Sequence, residues 1–136
     1  MKTAAGVVLV AALVAPRALH AHGEDSGAKV APLMQQALPD QPGKEGILVR
    51  VEFPPAHVDA VHRHPGHAFV YVLEGSVEMQ MEGGRSRTLN PGDTFYEKRG
   101  ENHIVGRNIS STRPAKLLVF FIADQDMPLV LPPAKH

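Results

Sequence analysis

Alternating apolar and polar positions in the middle of the chain predict β-strands. From residue 47 to residue 53 every second side chain is apolar, the spacing of a strand that buries one face. Residues 77–82 alternate in the same way, whereas residues 69–73 and 115–123 are continuous apolar runs. With the shorter segments between turns included, the pattern predicts seven strands, over residues 46–53, 69–73, 77–82, 87–89, 93–97, 103–105 and 115–123.

Glycine and proline residues separate the predicted strands. The turns fall at Pro54-Pro55, Glu74-Gly75, Gly83-Gly84, Asn90-Pro91-Gly92 and Arg99-Gly100. Residues of these types favour turns because of their backbone preferences. Short strands at close spacing, each followed by a turn, are typical of an all-β sandwich or barrel.

The segments on either side of the strands predict no second domain, and a chain of 136 residues suits one domain. Residues 22–45 are polar and contain three prolines, so we expect an arm with at most one helical turn, over residues 32–38. The β-domain follows over residues 46–123. Residues 124–136 also contain three prolines and predict an extended tail that covers the domain.

The first 21 residues have the pattern of a secretory signal peptide. Lys2 precedes an apolar stretch from Ala4 to Ala15, and the small residue Ala21 precedes a polar segment. The stretch is shorter than the roughly 20 residues of a membrane-spanning helix. We expect cleavage after Ala21 and a secreted or periplasmic protein that has no membrane association afterwards. An uncleaved membrane anchor is the alternative.

Composition narrows the classes of partner. Lysine plus arginine and aspartate plus glutamate number 14 each, so no basic surface for nucleic acid is predicted. Eight histidines favour a metal site. Because the chain contains no cysteine, nitrogen and oxygen atoms would have to hold the ion.

Three histidines are the main candidates for metal ligands. His62 and His64 are two positions apart, and in an extended strand such residues project from the same face. Two imidazoles on one face suit a metal ion, although the pattern alone also arises by chance. A third histidine, His103, comes shortly after a glycine turn, at the start of another predicted strand.

The residues around these histidines resemble the two motifs of the cupin superfamily, G-x5-H-x-H-x3,4-E-x6-G and G-x5-P-x-G-x2-H-x3-N, in the compact spacing of its small bacterial single-domain members. Six positions match: His62, His64 and Gly75 in the first motif, and Gly92, Gly100 and His103 in the second. The resemblance covers residues 46–123. It implies a double-stranded β-helix, or jelly-roll barrel, with the three histidines around one metal ion.

The chain departs from these motifs at several positions. Ala56, Lys98 and Arg107 stand where the motifs have glycine, proline and asparagine. The glutamate that is usually the fourth protein ligand would fall at Ala68 or Phe69. The resemblance therefore implies three histidine ligands and no carboxylate.

Two nearby side chains are candidates to complete the site. His67 directly precedes the position of the missing glutamate and is a candidate ligand or a residue of the rim. Glu97 lies on the strand before His103 and is a candidate ligand, a partner of the ligands, a catalytic general base or a surface charge paired with Lys98 or Arg99. Three imidazoles suit a divalent transition metal such as iron, copper, zinc or nickel, and leave coordination positions open.

The function that the resemblance implies is metal-dependent chemistry on a small molecule in the barrel, of dioxygenase or isomerase type, with Glu97 transferring protons. The alternatives are a non-catalytic envelope module that binds a small molecule or a metal, and a structural cupin without metal. We expect Tyr71, Phe95 and Phe120 in the core and His57 at the surface. Residues 115–123 and the tail are candidate surfaces for a homodimer.

Overall fold

The structure is a computed structural model that describes residues 27–135. Along these residues it has nine strands: β1 (Lys29–Ala37), β2 (Lys44–Phe53), β3 (His62–Arg63), β4 (His67–Glu74), β5 (Val77–Met81), β6 (Arg87–Leu89), β7 (Thr94–Glu97), β8 (Asn102–Asn108) and β9 (Ala115–Asp124). No helix occurs within residues 27–135, so none of them forms a membrane-spanning helix. The all-β prediction is confirmed. The predicted signal peptide, residues 1–21, lies outside the described residues.

The strands form two antiparallel sheets. One has five strands in the order β1-β2-β9-β4-β7, and the other has four in the order β3-β8-β5-β6. The seven predicted strands correspond to β2 and to β4–β9. Most neighbours in the sheets are distant in sequence, as with β2 and β9, which pair from Lys44 opposite Asp124 to Phe53 opposite Ala115. The two-sheet fold therefore depends on long-range pairing.

Alternate residues of the strands build the core between the two sheets. In β9, Leu117, Val119 and Phe121 are buried, whereas Leu118 and Phe120 between them face outward. The buried hydrophobic side chains are those of Ile47, Val49, Phe53, Ala68, Val70, Val72, Val77, Met79, Leu89, Phe95, Ala115, Leu117, Val119, Phe121 and Ala123. Removing this apolar surface from water stabilises the fold by roughly 25 cal/mol for each Å² buried.

The helical turn predicted for residues 32–38 is wrong, because residues 29–37 form strand β1. β1 pairs with β2 from Lys29 opposite Glu52 to Ala37 opposite Glu45, with a register shift between Pro32 and Met34. The edge position and the irregularity accommodate a proline, which has no N–H for a β-ladder. An isolated helical turn is marginal in water, whereas the edge of β2 offers a full row of backbone partners.

The prediction that Tyr71 and Phe120 lie in the core is also wrong. Their side chains are 45% and 38% exposed, on the outer face of the five-stranded sheet, whereas Phe95 is 9% exposed and buried as expected. Tyr71 lies between the buried residues Val70 and Val72. In a continuous apolar run both faces of the strand are apolar, so the sequence does not show which face turns inward.

Two glycines provide a matched test of the packing between β4 and β9. Gly75 and Gly83 both have positive φ angles, +73° and +74°, which cost an L-residue roughly 1–2 kcal/mol. A Cβ at Gly75 would lie 2.8 Å from the carbonyl oxygen of Pro114, whereas at Gly83 it would meet no atom within 4 Å. We expect Gly83→Ala to lower the free energy of unfolding by about 1 kcal/mol and Gly75→Ala by about 3 kcal/mol or more. Urea unfolding measures both, and equal losses would contradict the close approach at Gly75.

Candidate metal centre

Three predicted histidine ligands and one carboxylate converge between the two sheets. His62 in β3 and His103 in β8 are direct cross-strand partners in the four-stranded sheet, and His64 follows β3. Glu97 is the last residue of β7 in the five-stranded sheet. Each residue offers one ligand atom, and these four atoms lie within 4.8 Å of one another. The cluster is thus assembled from both sheets.

Three of the four residues of the cluster are buried, and both ring nitrogens of one of them lack hydrogen-bond partners. His64, Glu97 and His103 are 8%, 4% and 3% exposed. Within residues 27–135, both ring nitrogens of His103 make no hydrogen bond, and Oε2 of Glu97 lies 2.9 Å from Nε2 of His64. A buried polar atom without a partner costs about 1–3 kcal/mol, and a cation could satisfy several of these atoms at once. Imidazole and carboxylate donors suit a divalent transition metal, so the residues present fit such an ion.

Backbone carbonyls orient two of the imidazoles. Nδ1 of His62 donates to the carbonyl of Ala60 at 2.8 Å, and Nδ1 of His64 donates to that of Leu129 at 2.6 Å. A carbonyl only accepts, so each Nδ1 carries a proton and each Nε2 is left for the centre of the cluster. The two Nε2 atoms lie 3.2 Å apart. Orientation of a ligand through its second ring nitrogen is the usual arrangement of metal-binding histidines.

The carboxylate of the cluster belongs to Glu97 in β7. The motif resemblance places a glutamate instead at Ala68 or Phe69, in the neighbouring strand β4. Ala68 in β4 is the direct cross-strand partner of Glu97, so both side chains project from the same face of the sheet. Ala68 is fully buried, at 0% exposure, and its small side chain leaves room for Glu97. The interpretation of Glu97 as a surface charge is wrong, because its side chain is 5% exposed.

The groups of the cluster shift one another's pKa. Burial raises the pKa of Glu97, but the neighbouring imidazoles, that of His64 foremost, outweigh burial and bring this pKa below its ordinary value of 4.5. Burial lowers the pKa of His64, but the Glu97 carboxylate and the Leu129 carbonyl together raise it above 6.5. Burial is also the main cause that lowers the pKa of His103 below 6.5. Between pH 4.5 and pH 6.5 the metal-free site therefore holds an ionised Glu97 beside a protonated His64.

His67, the other candidate ligand, lies outside the cluster. Its Nδ1 is hydrogen-bonded to the hydroxyl of Tyr96 at 2.7 Å, and the two rings are stacked. His67 begins β4 and Ala68 faces the core, so strand alternation turns His67 toward the outer face of the sheet.

The sequence analysis missed a second polar pair near the cluster. The prediction that His57 is exposed is wrong: it is 7% exposed, and its Nε2 lies 2.8 Å from Oδ1 of Asp59. Asp59 lines the same cavity as the cluster. The signal in the sequence is only a histidine and an aspartate two positions apart in a proline-containing loop, which does not distinguish this pair from exposed loop residues.

A cavity of about 560 Å³ opens onto the cluster. Both sheets and residues 129–132 contribute its walls, which are mainly aliphatic and aromatic. Among the described side chains that line it, none is lysine or arginine, and Asp59 is the one acidic group besides Glu97. The cavity can hold a small apolar molecule with a polar end directed at the cluster.

The sequence model of a known family, described as the cupin domain, matches residues 49–121. Two curated proteins are also similar to part of the chain. The oryzines biosynthesis cluster protein J of Aspergillus oryzae is 36% identical over 87 residues, which cover 63% of this chain and 46% of that protein. The dimethylsulfoniopropionate lyase DddQ of Ruegeria pomeroyi is 33% identical over 70 residues, which cover 52% of this chain and 33% of the lyase. This chain thus spans less than half of the length of either relative.

Solved structures show the same fold. The crystal structure of the lyase DddQ from Ruegeria pomeroyi aligns with a TM-score of 0.57 and 27% identity, over 67% of this chain and 45% of the lyase. The polyketide cyclase RemF from Streptomyces resistomycificus aligns with a TM-score of 0.59 and 23% identity, over 81% of this chain and 73% of the cyclase. At that identity the likeness to RemF shows a shared fold alone.

Glu97→Gln is expected to lower the pKa of His64 in the metal-free protein. The carboxylate raises this pKa against the effect of burial, so a neutral amide should let burial bring it below 6.5. Titration followed by ¹H–¹⁵N NMR of the imidazole measures the shift. The control Glu101→Gln removes a carboxylate that pairs with Lys98 at the surface and should leave the pKa of His64 unchanged. A similar pKa in wild type and Glu97→Gln would contradict the pairing.

Proposed function

This chain belongs to the cupin domain family, and on that premise we propose that it binds one divalent transition metal ion and acts on a small molecule beside it. The proposed ligands are His62, His64, Glu97 and His103. The observation that carries the proposal is that four donor groups, three of them buried, converge within 4.8 Å next to a cavity, and that both ring nitrogens of His103 lack hydrogen-bond partners.

Glu97 is proposed as the fourth ligand of this site. Its Oε2 lies 2.9 Å from Nε2 of His64 and 3.4 Å from Nδ1 of His103, among the atoms that would face the ion. In the metal-free protein between pH 4.5 and pH 6.5, the proton on His64 balances the charge of Glu97. An ion at the centre would take over this balance, and His64 would release its proton. The proton-transfer role predicted for Glu97 stays a prediction.

When bound, the ion would act as a Lewis acid, and iron or copper would add reactivity toward oxygen. The chain's own groups would bind and shield the substrate. The apolar walls would exclude water and hold the body of the molecule, while its polar end faces the cluster. Asp59, held by His57 at 2.8 Å, would be a further carboxylate within the cavity. A dioxygenase or isomerase reaction is the proposed class, and the name of the similar lyase also describes an enzyme that acts on a small molecule.

A non-catalytic binding module is the second candidate. Apart from the four proposed ligands, Asp59 is the one ionisable side chain among the described residues that line the cavity. Few groups are therefore placed to transfer protons, which is the observation that favours binding without turnover.

We also propose that the protein is exported, to the periplasm or out of the cell, after removal of residues 1–21. The support is the sequence pattern of Lys2, the apolar stretch from Ala4 to Ala15 and the small residue Ala21.

A homodimer is proposed in which a second copy covers the outer face of the five-stranded sheet. One row of side chains crosses all five strands on this face: Met34, Leu48, Phe120, Phe69 and Tyr96. Phe69, Tyr71, Tyr96 and Phe120 are 38–46% exposed, which leaves on the order of 350 Å² of aromatic surface if a full side chain spans about 200 Å². The remaining apolar residues and a polar rim would bring this area toward the roughly 800 Å² per partner of a standard interface.

His62→Ala is expected to abolish metal binding, because it removes one of the converging imidazoles. The matched control is His67→Ala, which removes a histidine from the outer face and should leave metal content unchanged. Elemental analysis after purification without chelator measures both, with about one first-row transition metal expected per wild-type chain. Wild-type protein without stoichiometric metal, or full occupancy in His62→Ala, would contradict the proposed site.

A carboxylate exchange tests Glu97 in the same assay. Glu97→Ala should weaken metal binding about 10-fold or more, and the double variant Ala68→Glu/Glu97→Ala should recover part of it, because the two positions are cross-strand partners. Oxygen uptake on flavonols, diketones and catechols by iron- or copper-loaded protein then separates the two candidate functions. A flat response across this panel would favour the binding module.

Phe69→Glu is expected to yield a monomer, because it places a charge at the centre of the proposed dimer face. Val58 is 64% exposed but lies in the loop between β2 and β3, so the control Val58→Glu should remain dimeric. Sedimentation velocity at micromolar concentration measures the mass. A monomeric wild type, or a dimer unaffected by Phe69→Glu, would overturn this interface.

A further inference from the structure

A segment beyond β9 forms part of the candidate metal centre. Residues 127–134, here called the strap, run along the edge strand β3 of the four-stranded sheet. Residues 129–132 of the strap line the cavity, together with His62, His64, Glu97 and His103. The strap is therefore both a wall of the cavity and a neighbour of the ligands.

The strap is attached at residues next to the proposed ligands. The backbone N–H of Arg63 donates to the carbonyl of Leu131 at 3.1 Å, and the N–H of Leu131 donates back at 2.8 Å. Nε of Arg63 also donates to the carbonyl of Pro132 at 2.9 Å. Farther along, the N–H of Ala134 donates to Oδ1 of Asn102 at 2.8 Å. Arg63 lies between two proposed ligands in sequence and Asn102 directly precedes a third, so the strap is attached at residues adjacent to three ligands.

One contact of the strap reaches a ligand itself. The carbonyl of Leu129 accepts a hydrogen bond from Nδ1 of His64 at 2.6 Å across 65 positions of sequence. His62 is held in the same way by Ala60, only two positions away. The orientation of His62 is thus a local property of its loop, whereas that of His64 depends on a distant segment.

We propose that the strap is a positioning element of the metal centre, which holds His64 with a protonated Nδ1 and directs its Nε2 at the other donors. A neutral imidazole exchanges between two tautomers, and a carbonyl that accepts from Nδ1 selects the one that can bind metal through Nε2. The contribution to metal affinity rests on the proposed function, whereas the effect on the ring of His64 does not.

The test replaces residues 127–134 by a Gly-Ser linker of the same length and observes His64 in the metal-free protein. At about pH 9, where imidazoles are neutral, ¹⁵N NMR distinguishes the two tautomers. In wild type we expect the tautomer with the proton on Nδ1 to be populated, because the carbonyl of Leu129 accepts from that atom. The Glu97 carboxylate, 2.9 Å from Nε2, favours the other tautomer, so in the linker variant we expect the proton to move to Nε2. In the same variant the affinity for Co²⁺, followed by its visible absorption, should fall about 10- to 100-fold.

Two further variants separate positioning from a general loss of stability. Val72→Ala weakens the core at a fully buried residue that lines neither the cavity nor the strap, so it should lower the melting temperature without changing the tautomer of His64. Arg63→Ala removes one anchor of the strap and should shift the tautomer partway, whereas Arg63→Lys should restore it in part. If the linker variant does not fold, the comparison of Arg63→Ala with Arg63→Lys tests the positioning of His64 instead.

An unchanged His64 tautomer in the linker variant and in Arg63→Ala would overturn the proposal. If the wild type binds Co²⁺, an unchanged Co²⁺ affinity of the linker variant would overturn it as well. A wild type that binds no Co²⁺ would contradict the proposed function instead. A strap-dependent tautomer in that same protein would still support the positioning of His64.

Discussion

The candidate site depends on the antiparallel pairing of β3 with β8, which joins only two residue pairs. The first pair sets His62 opposite His103, and the second sets Arg63 opposite Asn102. Because neighbouring residues of a strand point to opposite faces, one pair presents two proposed ligands to the cavity and the other presents two anchors for the strap. So short a ladder is marginal by itself, and the added hydrogen bonds between the strap and Arg63 extend it at its free edge.

The cluster is also a concentration of polar atoms among the apolar side chains between the two sheets. Atoms without partners, such as the ring nitrogens of His103, cost about 1–3 kcal/mol each, and aliphatic residues of both sheets offset this cost. Close packing keeps the ring in place: a Cβ on Gly106 would lie 3.0 Å from Cε1 of His103 and 2.8 Å from Oδ2 of Asp59. Buried polar atoms without partners are rare because they lower the stability of the fold. A group of such atoms at one place therefore indicates a binding site.

The five-stranded sheet has the core and the cavity on its inner face and the proposed dimer surface on its outer face. In β4, Val70 and Val72 face the cavity side and the core, whereas Phe69 and Tyr71 face outward beside Phe120 of β9. An exposed aromatic row is unusual for a monomer, and a partner on this face would leave the cavity side unobstructed. A substitution at Ala68, Val70 or Val72 of β4 therefore acts on the core, and one at Phe69 or Tyr71 acts on the outer face.

The sequence by itself determined the strand periodicity, the turns and the spacing of His62 and His64, and from these the all-β fold and the histidine candidates followed. Only the tertiary structure decided that Glu97 faces the cluster while His67 faces outward, that residues 29–37 pair with β2, and that Leu129 holds His64. The physical reason is that periodicity describes alternation within one strand. Which strands lie side by side, and in which register, is set by long-range backbone pairing and burial that no local pattern contains.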